Sequence, residues 1–158
     1  MAVDFYLKLD GIDGESADDQ HQNEIQVLSF SWGGSQVTSV AGTGGSGAGK
    51  ANLADLAIMK YMDKSTSKVF EALVKGTHIK TGVVSAIKAG GGGKPFLKLS
   101  FEELFVTSYQ VSASSEVPTE SLSFSYNKIK IEYFTQNEQG VLAAAGVVNY
   151  DLKANKAS

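Results

Sequence analysis

A chain of 158 residues with 42% hydrophobic and 20% charged side chains can bury a core without staples and has none of the bias of disordered or fibrous proteins. Its formal net charge of -3, with acids and bases interspersed and no basic stripe, leaves no electrostatic footprint for nucleic acid. Cysteine is absent, which excludes disulfides, thiolate nucleophiles and zinc–thiolate sites, and His21 and His78 stand far apart with no metal-ligand pattern.

The chain opens on an alternation: Val3, Phe5, Leu7 and Leu9 against Asp4, Tyr6, Lys8 and Asp10. That period predicts a strand with one buried face over Ala2 to Leu9. Its charges exclude a secretory signal, and no stretch of the sequence approaches the roughly 20 apolar residues of a membrane helix. The expected product is made soluble in the cytoplasm; if exported, it leaves without a cleaved signal.

A turn at Asp10–Gly14 and a polar segment, Glu15 to Asn23, lead to a second strand over Glu24 to Gly33. Ile25 and Val27 share one parity there, whereas Leu28, Phe30 and Trp32 share the other, so a bulge or bend is expected near Val27–Leu28. Trp32 then reads as core. Ser29, Ser31 and Gly33, small and polar, form a face suited to water or a lumen. The glycine-rich stretch Val40 to Lys50 cannot bury a core and reads as a long exposed loop.

Ala51 to Met62 fits a helix or a strand. The next segment is a clear helix, Lys64 to Lys75, with Asp63 or Ser65 as cap, a Val69–Phe70–Leu73–Val74 stripe and a stop at Gly76. Strands follow at Gly82–Ala89, Pro95–Phe101 and Phe105–Val111, with a loose turn at Gly90–Gly93 and a polar loop at Ser112–Thr119. Glu120 to Phe134 is expected to be one strand that switches its buried face near Asn127, as at a corner between two sheets. A last strand over Val147–Lys153 and a loose tail, Ala154 to Ser158, complete the chain. The expected fold is a single, mainly β domain: a compact β-barrel or two-sheet sandwich of about eight or more strands with one flanking helix.

No catalytic constellation emerges. Gly44 to Lys50 matches the G-x-x-x-x-G-K core of a phosphate-binding loop, but Ala51 stands where a magnesium-holding Ser or Thr is needed and no buried strand precedes it. Asp10, Asp13 and Glu15 lack the spacing of a calcium loop. Glu102 and Glu103, as strand neighbours, point to opposite faces and read as a solvated strand end. No G-x-S-x-G elbow activates a serine. Neither a cofactor nor a metal is expected.

Met1 to Leu9, Gly14-Glu15-Ser16, Glu24-Ile25, Ser31-Trp32-Gly33, Gly49-Lys50 and Lys60-Tyr61-Met62-Asp63-Lys64-Ser65-Thr66 together resemble the hemolysin-coregulated protein (Hcp) family of bacterial type VI secretion systems. The likeness runs from Met1 to about Tyr150 and is strongest through Gly76. It implies a phage tail-tube-like barrel with a flanking helix. It also implies homohexameric rings that stack into the inner tube of a contractile apparatus, with a spike protein, a sheath and small effectors as partners. It implies no enzymatic activity; the charge pattern and the lack of a long apolar stretch already speak against a nucleic-acid partner and membrane insertion. Ala51 to Tyr61 becomes a bulged strand. Ser31, with Ser29, becomes a lumen position available to cargo. The loop bearing Val40, Gly42, Thr43, Gly44, Gly45, Ser46 and Gly47 becomes the extension that reaches the next ring. The rival readings are a monomeric ligand-binding barrel, a nucleotide-dependent enzyme using Gly44–Lys50, and a phage-derived tail-tube protein.

Overall fold

Alternating residues become twelve strands and one helix in the computed structural model, which describes residues 2–36, 50–89, 92–137 and 139–158. In the larger sheet β1 (Val3–Leu9) pairs with β2 (Ile25–Val27) on one side and β7 (Ile79–Lys88) on the other. The order continues through the first half of β8 (Leu97–Ser112), then β10 (Lys128–Gln136), β11 (Leu142–Asp151) and the short β12 (Lys156–Ala157). The smaller sheet runs β3 (Ser29–Ser31), β6 (Leu56–Tyr61), β9 (Thr119–Ser125) and the second half of β8. A ribbon of β4 (Gly34–Ser35) and β5 (Asn52–Leu53) prolongs the β3–β6 pair. All pairings are antiparallel.

Neither sheet closes on itself, so the two-sheet description fits better than a barrel. The sheets are joined at three corners. At the first, β2 passes into β3 through Leu28, whose amide donates to the Met59 carbonyl at 2.7 Å. The expected break is there, but Leu28 points outward and is 44% exposed, because the bend puts Phe30 and Trp32, not Leu28, against the core. At the second, Tyr126 and Asn127 carry the chain from β9 to β10, so the Glu120–Phe134 segment is two strands in two sheets. The third lies inside β8. Phe101 and Leu104 are both buried, a parity change absorbed at Glu103, whose φ is +56°. Pro95–Phe101 and Phe105–Val111 therefore belong to one continuous path rather than two strands. Glu102 and Glu103 sit mid-strand and not at an end, where they meet Lys128 at 3.6 Å and Lys153 at 3.3 Å.

Leu7, Ile25, Leu56, Leu99, Phe101 and Phe124 fill the space between the sheets. Each such side chain contributes about 1.5–3 kcal/mol relative to exposure. The segment 51–62 is extended, as the family likeness implies, and the last strand starts at Leu142, earlier than expected. The tail pairs back as β12 instead of hanging loose.

The helix α1 (Thr66–Lys75) begins two residues later than predicted. Ser65 takes the N-cap position without a side-chain cap bond; Asp63 instead accepts from the Ser65 amide at 2.9 Å and from its hydroxyl. At the other end Gly76, with φ +62°, donates to Leu73 while Thr77 donates to Ala72, the paired bonds of a Schellman stop. The buried stripe is narrower than expected. Val69 and Ala72 face β8, whereas Phe70 and Val74 are 49% and 63% exposed. One packing partner covers only one narrow face of a helix.

Candidate functional site: a hydroxyl wall on the smaller sheet

Strand β9 reads Thr119-Glu120-Ser121-Leu122-Ser123-Phe124-Ser125. Period-two alternation sends Leu122 and Phe124 into the core and the hydroxyl residues to the outer face. Cross-strand register then builds a grid. Ser29 on β3 lies opposite Met59 on β6, Met59 opposite Ser121, and Ser121 opposite Gln110 on β8. In the next row Ser31, Ala57, Ser123 and Ser108 follow one another in the same way. The two serines expected to form a polar face do so, and the fold brings Ser108, Ser121 and Ser123 beside them.

A register shift between Val106 and Ser108 places Thr107 and Ser108 both within reach of Ser123. The Ser123 hydroxyl lies 2.7 Å from that of Thr107 and 2.5 Å from that of Ser108, and Thr107 donates to Asp55 at 2.8 Å. The face encloses a shallow open groove of about 460 Å³ whose lining residues carry no charge. A serine needs a neighbouring base to become a nucleophile, and none lines this groove. Its chemistry is hydrogen bonding around a single protruding apolar side chain, Met59, which is 43% exposed.

Behind the wall lies a charged network. Lys60 and Glu120, cross-strand partners on β6 and β9, are fully buried and ion-paired. The Lys60 ammonium uses its other protons on Asp63 Oδ1 at 3.0 Å and the Tyr61 carbonyl at 3.2 Å. The Glu120 carboxylate also accepts from the Thr66 hydroxyl at 2.9 Å and from Tyr109. Desolvation, then the bond to Glu120, pushes the Tyr109 hydroxyl well above the usual phenol range. The network ties the start of α1 to the back of the wall. Beside it Trp32 Nε1 donates to the Tyr126 hydroxyl, which donates to the Ala54 carbonyl at 2.7 Å. Burial raises the Tyr126 hydroxyl as well.

The family model for "Type VI secretion system effector, Hcp" matches residues 6–133. The chain belongs to the Hcp family. Protein hcp1 of Pseudomonas aeruginosa is 36% identical over 143 residues, covering 89% of this chain and 88% of that protein. Among solved structures, one described as a type six secretion system protein superposes with a TM-score of 0.92 at 33% identity, over 99% of this chain and all of that one. Hcp1 from Salmonella typhimurium gives a TM-score of 0.80 at 35% identity, over the full length of both. This Hcp is a structural component of the type VI secretion system, a tube protein exported by that system.

Val40, Gly42, Thr43, Gly44, Gly45, Ser46 and Gly47, expected to form a loop that reaches the next ring, lie outside the described residues. Among the described residues no group of three His, Cys, Asp or Glu side chains could hold a metal. The sequence reading named Ser29 and Ser31 but missed Ser108, Gln110, Ser121, Ser123 and Met59. The alternation of Ser121, Ser123 and Ser125 with Leu122 and Phe124 was the available signal. It also missed Lys60, whose parity with Leu56 and Ile58 marks it as inward-facing.

Proposed function

We propose that this chain, as one domain over residues 1–158, forms homohexameric rings that stack into the inner tube, with the hydroxyl wall facing the lumen. The observation that carries this reading is the uncharged grid of Ser29, Ser31, Ser108, Gln110, Ser121 and Ser123 on a concave sheet face. A neutral hydroxylated wall hydrogen-bonds water and passing polypeptide alike. It carries no fixed charge to hold cargo of one sign. Small effectors ride against this wall, with Ser29 and Ser31 among their contacts, and the loop at Val40–Gly47 reaches the neighbouring ring. The spike and sheath are the other partners. The chain has no catalytic role and leaves the cytoplasm without a cleaved signal. The interior packed with Leu7, Phe101 and Phe124 favours this reading over a barrel that encloses a small ligand.

Light scattering on a sizing column, with electron images of the peak, tests the ring. Open-centred particles of six subunits are expected; a monomer at every concentration overturns it. In rings that form, Ser31→Trp should abolish cargo retention while ring mass is unchanged. Unaltered retention would remove Ser31 from the lumen. Shortening the Val40–Gly47 loop should leave single rings but slow tube growth.

A further inference from the structure

On the outer face of the larger sheet His21 is buried, and both of its ring nitrogens face acceptors. Nδ1 lies 3.0 Å from Glu24 Oε2, and Nε2 lies 3.1 Å from the Gly93 carbonyl oxygen. A neutral imidazole has one N–H and one lone pair, so it can donate to only one of the two. The doubly protonated ring donates to both. The ring also lies flat on Tyr6, with centroids 4.7 Å apart and planes within 4°, an arrangement that favours a cation over an aromatic face.

We infer that His21 is a proton-operated clasp between the loop that precedes β2 and the turn that precedes β8. With two protons it bonds Glu24 and Gly93 together and pins the turn to the loop. With one proton it keeps Nδ1–H on Glu24, because the carboxylate holds that proton, and the Nε2 lone pair then faces the Gly93 oxygen. The Gly93 contact is the one released as pH rises.

The charged surroundings are mixed. Glu24 opposes loss of the proton, as do Asp18 and Asp19 on the same loop, whose carboxylates bond the Gln20 amide and side chain. Lys8 on β1, Lys94 beside Gly93 and Lys98 on β8 line the same crevice and favour the loss. Tyr6 stays neutral, its hydroxyl raised first by burial and then by Asp18 and Asp4. Gly93 is suited to the contact: its φ is +77°, and a side chain there would collide with Gln20.

The test is a titration of the intact protein, with ring-¹⁵N-labelled histidine and backbone amides followed by NMR. It should run from about pH 5.5 to about pH 8.5, bracketing the range in which imidazole ordinarily changes charge. The expected result is two protonated ring nitrogens on His21 at the acid end and an Nδ1–H tautomer at the alkaline end, with the Gly93 amide signal moving at the same midpoint. Glu24→Gln supplies the second arm. Its amide can donate to Nδ1 of a neutral ring while Nε2–H stays on Gly93, so the pH-dependent movement of Gly93 should shrink several-fold. A neutral ring at the acid end overturns the clasp. So does an Nε2–H tautomer at the alkaline end in the unaltered protein, a Gly93 signal that ignores the His21 midpoint, or an unchanged movement in Glu24→Gln.

Discussion

Strands β9 and β11 are both antiparallel, yet they sit in the molecule in opposite ways. β9 alternates hydroxyl residues with Glu120, Leu122 and Phe124, and every second side chain is buried. β11 reads Leu142-Ala143-Ala144-Ala145-Gly146-Val147-Val148 before it turns polar, and Ala143 to Val148 are exposed on both faces. An unbroken apolar run ordinarily marks a strand covered on both sides. Within the single subunit it marks one covered on neither, so inside the subunit period reports burial more faithfully than hydrophobicity does, because alternation requires one wet face and one dry one.

The contrast predicts where substitutions are felt. The largest effect is expected behind β9. Lys60→Met or Glu120→Leu alone strands a buried charge and should cost about 3–5 kcal/mol in urea unfolding, whereas the double replacement should recover part of the loss, because Asp63 still loses its cation and Thr66 and Tyr109 their acceptor. A double loss equal to the sum of the two single losses would mean that the pair does not act as a unit. Trp32→Phe removes one donor from Tyr126, which keeps its bond to Ala54, so a loss of about 1 kcal/mol is expected. On exposed β11, Val148→Ser in the separated subunit should change stability by less than about 0.5 kcal/mol. Ser121→Ala on the wall should be similarly mild. A multi-kcal loss at Val148 would show that β11 is packed within the subunit.

Alkali sharpens the contrast in another way. Tyr109 and Tyr126 are held neutral in the folded state, chiefly by desolvation, above their unfolded phenol range. Stability from this source is complete below the unfolded value of about 10 and is lost as pH climbs toward the folded values. A phenolate absorbance titration should therefore show a late-ionising component that Tyr109→Phe removes. A titration unchanged by Tyr109→Phe would contradict the burial of that hydroxyl.

Much of the wall was legible in the sequence because it is local. Ser29, Ser31 and the bend before them follow from parity over a few residues, and so does the change of face near Asn127. What was not legible is either non-local or hidden in the backbone. Lys60 and Glu120 meet across two strands 60 residues apart, which no local pattern encodes. Glu103 adopts a left-handed conformation that its side chain does not announce, so the corner inside β8 was read as a gap between strands. Leu142 to Gly146 lack alternation, and the start of β11 was missed for that reason. Phe70 and Val74 looked like core because a helical stripe records which residues could be buried, not how many partners arrive.

Strand β8 has a mechanical consequence. Its first half is hydrogen-bonded between β7 and β10, and its second half runs beside β9. The wall and the larger sheet therefore share one covalent backbone, and sliding one past the other would shear several ladders of bonds at once. Relative motion of the two sheets is stiff by connectivity, however their side chains repack.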